Sequence, residues 1–332
     1  MTTATHNVKV NSGRQHMDLM QLIDQFGSED HCRAYLEHLR WPDGVRCVNC
    51  GMDSISRITT RNQFDCNACR TRFSVKAGTV FHDSHLPLRK WFLAVYMMGE
   101  ARKGVSANQL KRTLAVSYKT AWYLCHRIRS AMDNAAPVML SGTVEVDETY
   151  IGGKSKNMHK DVRARRITGR GGVDKTMILG AIQRGGNVRL RVETRTASGD
   201  VVREFIDGTV ADGAEAIYTD KHRAYDGIGD EDTRHEAVNH AMEEWIRGDV
   251  GTNNIESAWS LFKRAIVGSY HQLSEKHLQA YADEFAFRFN NRENPYLFRD
   301  TLRALIKGEP LTYDALVDGA APTRPTHSRS TP

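Results

Sequence analysis

Four of the six cysteines fall into two pairs, and this spacing constrains the fold more than any other feature of the sequence. Cys47 and Cys50 form one Cys-x2-Cys pair, and Cys66 and Cys69 form a second pair after fifteen intervening residues. Two such turns place four thiolates tetrahedrally about a zinc ion. A redox site would need one reactive pair rather than two at this spacing. The sequence therefore predicts one structural Zn²⁺ in residues 41–80, a segment too small to fold on an apolar core alone.

Basic and aromatic side chains surround these cysteines. They are Arg46, Arg57, Arg61, Arg70, Arg72 and Lys76, with Phe64 and Phe73. We interpret this surface as a DNA contact and assign Arg70 and Arg72 to it. The alternative is a solvated charged face, with the two phenylalanines in the core of this segment.

Composition and hydropathy bound the class of protein. Hydrophobic residues make up 40% of the 332-residue chain, and the formal net charge is +6, which indicates a polyanionic partner. The longest apolar run, 91–98, is far shorter than the roughly 20 residues of a membrane span. Residues 1–17 are polar and lack the apolar core of a signal peptide. We therefore expect a cytoplasmic protein without a membrane partner, whose cysteines are thiols or metal ligands.

Two helices with a tight connection follow the cysteine region. Ser106 is expected to open a short helix that ends at Leu114, and Ser117 to cap a second helix that runs to about Met132. This arrangement is typical of a helix-turn-helix, although an ordinary three-helix bundle with a polar outside remains the alternative. The face of the second helix that we predict to enter a DNA groove carries Lys119, Thr120, Tyr123 and Arg127. Cys32 and Cys125 lie at no ligand spacing and are predicted to be buried core residues.

Three acidic residues mark the ends of predicted strands and the start of a helix. Asp147 ends a β-branched run, Asp220 ends a second strand, and Glu256 follows Asn253 in a helix. Two acids at strand ends and a third on a helix are what a two-metal phosphoryl-transfer site requires, because hard cations take oxygen ligands. Strand-end aspartates also start turns, however, and Asn253 with Glu256 also matches a helix capping box. Local spacing therefore leaves the role of Glu256 open.

The pattern around these acids predicts a mixed α/β domain. The expected strands are 143–150, 176–183, 187–194 and 215–220, and the expected helices are 198–210, 253–264 and 274–291. The predicted order is three antiparallel strands, a crossover helix and a further strand. The basic loop 154–175 is predicted either to stay solvated or to hold a DNA backbone near the acids.

Several stretches together resemble the DDE transposases of bacterial insertion sequences, specifically the ISXO-like group with an N-terminal zinc ribbon. The matching stretches are 144–154, 218–220 with Tyr225, 238–240, 252–264 and 274–292, together with the cysteine region. They cover most of the chain. The resemblance implies a zinc ribbon and helix-turn-helix that hold the element ends, followed by an RNase H-like catalytic domain with a mixed sheet flanked by helices.

The resemblance also implies a reaction. The protein would bind the terminal inverted repeats, hydrolyse the phosphodiester at each element end, and join the 3′-OH ends to target DNA. Asp147, Asp220 and Glu256 would hold two Mg²⁺ (or Mn²⁺) ions per active site, and Lys263, two helical turns after Glu256, would hold a phosphate.

Three further residues near the acids have less defined roles. Glu145 shares a strand face with Asp147 by alternation, and Glu148 follows it. We expect both to orient the ligands or to pack. His240 is kept outside the catalytic set, because a lone histidine is more often structural.

The expected assembly and domain organisation follow from the same resemblance. Two element ends require two active sites, which favours a homodimer or a larger assembly on DNA, associated with the nucleoid of a bacterium. The expected units are a helical segment 1–40, the ribbon 41–80, the helix-turn-helix 87–135, the catalytic domain 141–310 and a disordered tail 319–332.

Two other functions remain open. An RNase H-like nuclease would share the acids but would not need the N-terminal DNA-binding modules. A non-catalytic DNA-binding regulator derived from a transposase would keep those modules and lose an acidic ligand, whereas Asp147, Asp220 and Glu256 are all present.

Overall fold

The computed structural model describes residues 17–132, 138–152, 175–195, 198–220, 223–225, 227–228, 233–238 and 247–318. Its helices are α1 (Leu19–Phe26), α2 (Glu29–Arg40), α3 (Leu88–Glu100), α4 (Ala107–Leu114), α5 (Tyr118–Ser130), α6 (Gly199–Asp207), α7 (Asn253–Ala265), α8 (Glu275–Asn290), α9 (Leu297–Lys307) and α10 (Tyr313–Asp318). Its strands are β1 (Ile55–Ile58), β2 (Gln63–Cys66), β3 (Arg72–Phe73), β4 (Thr143–Ile151), β5 (Thr176–Gln183), β6 (Val188–Glu193), β7 (Ala216–Asp220) and β8 (Arg234–Val238). Helix α7 continues into a π-helical turn, Ile266–Tyr270.

Helices α1 to α5 share one apolar core. Cys32 on α2 lies fully inside it, where burial raises the pKa of its thiol to about 12 and its Sγ donates to the carbonyl of Phe26. Cys125 on α5 is buried in the same core. The interpretation of both cysteines as core residues is thus confirmed.

The tight connection between α4 and α5 forms as the sequence indicates. Ser106 caps α4 by accepting a hydrogen bond from the Gln109 backbone, and Ser117 caps α5 by accepting one from the Thr120 backbone, each at 3.1 Å. Ala115 between them has a left-handed backbone with φ 49°, which reverses the chain within two residues. The pair of helices is present, and its role in DNA binding stays a prediction.

Helix α9 packs into this helical core rather than onto the mixed sheet. Its apolar stripe packs with α2 and α3 and contains Leu297, Phe298, Leu302 and Leu305. The range 141–310 expected for the catalytic domain therefore spans two cores. The sequence does not show this, because the amphipathic pattern of a helix does not reveal which surface it covers.

The second core is built on a five-stranded mixed sheet with the order β6-β5-β4-β7-β8. Strands β6, β5 and β4 are antiparallel, while β4, β7 and β8 run parallel. Helix α6 provides the crossover between the antiparallel strands and β7. The predicted mixed α/β class, with an N-terminal cysteine cluster and a sheet flanked by helices, is confirmed.

Alternation along β4 sends its side chains to two different faces of the sheet. Val144 and Val146 are buried with α6 in one apolar cluster. Glu145 and Asp147 point to the opposite face and contact α7. Helix α8 packs beside α7 on that face, against β6, so the acids of β4 lie under the helix that carries Glu256.

A buried ionic network joins the two cores. Arg129 on α5 donates to Glu284 on α8 at 2.5 Å, and both side chains are almost fully buried. The hydroxyl of Tyr270, from the π-helical turn, donates to the other oxygen of Glu284 at 2.8 Å. Arg288 donates to the carbonyls of Ala101 and Arg102. These contacts fix the helical core against the helices of the sheet.

Candidate functional site

The four predicted zinc ligands form one cluster. Their sulfur atoms all lie within 4.8 Å of one another. The Sγ atoms of Cys47 and Cys69 are 3.6 Å apart, and so are those of Cys50 and Cys66. Tetrahedral thiolates bound to zinc at about 2.3 Å are separated by about 3.8 Å, so the cluster fits a structural zinc ion.

Two tight turns create this cluster. The amide of Gly51 donates to the carbonyl of Cys47 with Gly51 at φ 75°, and the amide of Arg70 donates to the carbonyl of Cys66 with Arg70 at φ 60°. Both turns therefore need a left-handed residue directly after the second cysteine. Glycine adopts that conformation freely, whereas arginine does so at a cost.

The aromatic residues of the ribbon form its core. Phe64 and Phe73 are each 3% exposed and pack on one another and on Trp41, which follows α2. They are not part of an exposed DNA-contact surface. Arg70 and Arg72 remain on the outside, and Arg72 pairs with Asp65 of the neighbouring strand at 2.9 Å.

The two predicted catalytic aspartates lie on adjacent central strands of the mixed sheet. Asp220 ends β7 as predicted, but Asp147 lies in the middle of β4, because that strand continues in pairing with β5 to Ile151. Strands β4 and β7 are parallel and pair through Val146 and Thr219, and Asp147 and Asp220 come next on each strand. The same face of the sheet carries both side chains, because each lies two residues beyond the paired Glu145 and Tyr218. Neighbouring strands are about 4.8 Å apart, so the two carboxylates are neighbours.

Helix α7 brings Glu256 over the same face. Glu145, which is fully buried, accepts hydrogen bonds from the backbone amides of Asn254 and Ile255 at 2.8 and 3.1 Å. Its other oxygen accepts from Asn254 Nδ2 at 2.7 Å and from Arg184 Nε at 2.8 Å. The carboxylate thus caps the positive end of α7 and attaches the helix to β4. The expectation that Glu145 orients other residues fits these contacts.

The capping box of Asn253 and Glu256 does not form, although Glu256 keeps a contact with the N-cap residue of its helix. The N-cap of α7 is Thr252, so Asn253 already lies inside the helix. Glu256 accepts a hydrogen bond from the Thr252 hydroxyl at 3.1 Å, and its side chain is exposed. Lys263 is exposed on the same helix, two turns further on.

Several carboxylates lie close together in this part of the molecule. Burial, together with the charges of Glu148 and Glu256, raises the pKa of Asp147 to about 7, although hydrogen bonds from the Glu148 backbone and Trp259 act in the opposite direction. Burial, together with the charge of Glu148, also raises the pKa of Tyr225, whose hydroxyl donates to Glu148. The charges of Asp147 and Asp220 act on Tyr225 in the same direction. Glu148 thus fastens the turn after β7 to β4.

Proximity of the acids does not amount to convergence. Among the residues that the structure describes, the cysteine cluster is the sole group of three or more His, Cys, Asp or Glu side chains with ligand atoms within 4.8 Å of one another. The ligand oxygens of Asp147, Asp220 and Glu256 therefore do not all lie within that distance of one another.

The predicted DNA face of α5 is only partly available. Lys119 and Thr120 are exposed, with the ammonium of Lys119 4.1 Å from the ring centre of Tyr313. The hydroxyl of Tyr123 donates to the carbonyl of Leu311 at 2.5 Å. The residues before α10 therefore cover one side of this face.

The assignment of Arg127 to DNA contact is wrong. Its side chain is 4% exposed, and its guanidinium donates to the carbonyls of Val80 and His82. It also stacks on Trp91 at 5.0 Å. Helical spacing places Arg127 on the face of Lys119, but the segment after β3 folds over that end of the helix, and its carbonyls accept hydrogen bonds from Nη2 of Arg127.

Sequence reasoning missed two residues of the acidic site. Trp259 is buried in the apolar cluster under α7, and its indole N–H donates to Asp147 at 3.0 Å. Gly180, opposite Asp147 on β5, was not singled out. One signal could have indicated Trp259: a buried tryptophan needs a hydrogen-bond acceptor for its N–H, and the carboxylate of Asp147 is such an acceptor.

Some predicted features lie outside the described residues. These are His240, loop residues 154–174, linker residues 134–137, residues 1–16 and the tail 319–332. Within the described ranges, no helix has both the length and the apolar character needed to cross a membrane.

Two domain families match the chain. The ISXO2-like transposase domain matches residues 139–290, and the transposase zinc-ribbon domain matches residues 27–72. A protein described as an uncharacterized protein in transposable element ISH50 of Halobacterium salinarum is 33% identical over 279 residues, which span 81% of this chain and 93% of that protein. The chain therefore belongs to the ISXO2-like transposases with an N-terminal zinc ribbon, a class of DNA-binding and DNA-cleaving enzymes.

Proposed function

We propose that this transposase binds the terminal inverted repeats of its insertion sequence, hydrolyses the phosphodiester at each element end and joins the freed 3′-OH to target DNA. The observation that carries the proposal is the placement of Asp147 and Asp220 on adjacent parallel strands beneath the helix of Glu256. Acids on two adjacent strands and one helix supply the oxygen ligands that a two-metal site uses.

The donor set suits Mg²⁺ or Mn²⁺, two per active site. Asp147, Asp220 and Glu256 offer hard carboxylate oxygens, and burial together with neighbouring charge raises the pKa of Asp147 to about 7, which a bound cation would reverse. Such ions, when bound, activate water and stabilise the attacking and leaving oxygens of phosphoryl transfer. The same acids, beside Glu148 and without an adjacent cation, would repel a DNA phosphate.

The remaining residues of the site have assigned roles in holding DNA. Lys263 lies on the exposed side of α7 and is proposed to bind a phosphate next to the acids. Glu145 on β4 binds the first turn of α7, and Trp259 on α7 binds Asp147 on β4, so the two contacts together set the position of the helix. Hydrolysis followed by strand joining requires no covalent protein intermediate, in keeping with a site made of carboxylates.

End recognition is assigned to the N-terminal modules. Arg70 and Arg72 on the ribbon and Lys119, Thr120 and Tyr123 on α5 remain the proposed DNA contacts, without Arg127. A homodimer or larger assembly is proposed, because two element ends require two active sites. The buried Arg129–Glu284 contact supports a fixed relation between α5 and the acidic site within each copy.

The test is a reaction with defined DNA. Purified protein is incubated with Mg²⁺ and duplexes that carry the inverted ends of the element, and nicks and joined products are mapped at nucleotide resolution. We expect cuts at the element ends and joined products, with neither formed by Asp147→Asn or on duplexes of random sequence. Cutting without joining would favour an RNase H-like nuclease, and end binding without cutting would favour a DNA-binding regulator.

A further inference from the structure

Trp259 is the contact between the catalytic helix and the strand of Asp147. Its side chain is 4% exposed. The ring packs in the apolar cluster under α7, while its Nε1–H donates to Asp147 Oδ2 at 3.0 Å. A buried tryptophan is often placed by packing alone, but here its polar edge meets a carboxylate assigned to the site.

The sheet provides a slot for this ring. Gly180 on β5 is paired with Asp147. A Cβ atom at Gly180 would lie 2.4 Å from Cζ2 and 2.6 Å from Cη2 of Trp259, and 3.1 Å from Cδ1 of Ile255. No side chain other than hydrogen fits under the ring without moving it, since real Cβ atoms do not approach so closely. The slot places the indole directly beside Asp147.

A second attachment prevents α7 from sliding along the sheet. Glu145 caps the helix through the amides of Asn254 and Ile255, two residues before Asp147 on the same face of β4. Trp259 binds Asp147 one helical turn further along α7. Two contacts a turn apart fix both the axial position and the rotation of a helix, and Glu256 lies between them.

We propose that Trp259 is a positioning residue of the active site: its indole N–H holds one oxygen of Asp147, and its ring in the Gly180 slot ties that carboxylate to the helix of Glu256. The inference rests on the proposed function, because it gives a purpose to the orientation of Asp147. A hydrogen bond to one carboxylate oxygen restricts rotation of the group, and so fixes the direction in which its remaining lone pairs can bind a divalent cation.

The experiment measures Mn²⁺ affinity by titration calorimetry, alongside end cleavage and thermal unfolding. Trp259→Phe keeps most of the ring volume and removes the N–H donor. Loss of a residue that orients a metal ligand reduces metal affinity by about 10- to 100-fold. We expect a loss of that size with end binding unchanged, and with cleavage largely restored by excess Mn²⁺. Gly180→Ala is the second variant, since it displaces the ring without altering any acid, and it should reproduce the loss.

A matched control is Trp91→Phe. Trp91 is also buried and donates its N–H to Ser84 at 2.9 Å in the helical core. Trp91→Phe therefore removes the same atoms as Trp259→Phe, but away from the acids. Its Mn²⁺ affinity should equal that of the wild type.

The outcomes separate the inference from the proposed function. If Asp147→Asn weakens Mn²⁺ binding and Trp259→Phe does not, the positioning role is overturned and the proposed function stands. If Trp259→Phe lowers cleavage and melting temperature together and excess Mn²⁺ restores nothing, Trp259 only packs the core. If the wild type binds no Mn²⁺ through Asp147, both proposals are wrong.

Discussion

The cysteine cluster and the acidic site, which consists of Asp147, Asp220 and Glu256, are two candidate metal sites that the fold builds in different ways. All four cysteines lie within residues 47–69, in two tight turns that bring their sulfur atoms within 4.8 Å of one another. The acids extend from Asp147 to Glu256 and meet only after two strands pair and a helix docks. Local turns determine the first arrangement, whereas the second depends on the whole fold of the domain.

This difference decides how each site responds to damage. The cysteine cluster replaces an apolar core in a small segment, so its loss unfolds that segment. The acidic site lies on a sheet that packs against an apolar cluster on each face, one with α6 and the other with α7. Removing one acid should therefore abolish chemistry and leave the fold in place.

Loss of zinc is expected to give the largest effect. Structural zinc sites contribute about 10–16 kcal/mol of apparent binding free energy near pH 7, so Cys50→Ser or chelation should unfold residues 41–80 while the mixed sheet stays folded. Hydrogen exchange measured by mass spectrometry, with zinc determined by elemental analysis, reads out both regions. Cys32→Ala, at a buried cysteine outside the cluster, should retain one zinc per chain. A metal-free protein with a protected ribbon would contradict the account.

Breaking the junction between the two cores is expected to give the next largest effect. Arg129→Met removes the 2.5 Å partner of the buried Glu284, which keeps Arg288 at 3.4 Å and the Tyr270 hydroxyl at 2.8 Å. We therefore expect a loss of about 3 kcal/mol of unfolding free energy, the lower end of the range for breaking a buried ion pair. Urea denaturation followed by circular dichroism measures it. The control is Arg57→Met, which breaks a pair with Glu37 whose arginine is half-exposed. Because solvent screens this pair, its loss should cost about 1 kcal/mol. Equal effects of the two variants would show that the buried network does not join the cores.

The helical core should lose stability in mild acid because of His126. Burial, with the charges of Arg129 and His277, lowers the pKa of His126 to about 2, and its Nε2 has no hydrogen-bond partner among the described residues. The unfolded chain then binds more protons than the folded chain below about pH 6.5, so stability decreases as pH falls from there, by up to about 1.4 kcal/mol per pH unit.

The measurement compares unfolding free energies of wild type and His126→Phe between pH 7 and pH 5.5. The variant should have a flatter dependence on pH, while His38→Gln, at an exposed position of α2, should keep the wild-type slope. Identical slopes in wild type and His126→Phe would rule out the burial of a neutral imidazole.

The smallest expected effect separates stability from DNA contact within the ribbon itself. Arg70 occupies at φ 60° the position that Gly51 occupies at φ 75° in the other turn. Arg70→Gly should therefore stabilise the ribbon by about 1 kcal/mol, yet weaken end binding and reduce its salt slope by about one ion. Gly51→Ala should destabilise the ribbon. Unchanged salt dependence in Arg70→Gly would remove Arg70 from the DNA contacts.

The sequence predicts these two regions to different depths, for physical reasons. The bounds of β4, β5, β6, β7 and α7 agree with prediction to within about a residue, because alternation and helix periodicity are local signals. The cysteine spacing likewise encodes its own geometry. What could not be predicted depends on contacts between distant segments.

Arg127 and α9 illustrate this limit. Helix periodicity places Arg127 on a polar face, but it cannot reveal that the carbonyls of Val80 and His82 fold over it. It also identifies the apolar stripe of α9 without indicating that the stripe belongs to the helical core. The partner of the Trp259 indole is of the same kind, since it requires the register of β4 under α7.

The most direct test of the central claim, that Asp147, Asp220 and Glu256 form the catalytic site, is Glu256→Gln. A glutamine oxygen can still accept the hydrogen bond from Thr252, but a neutral amide is a far poorer ligand for a divalent cation. The account predicts unchanged melting temperature and unchanged binding to element ends, with Mg²⁺-dependent cleavage and joining both abolished. A Glu256→Gln protein that cleaves and joins at the wild-type rate would contradict it.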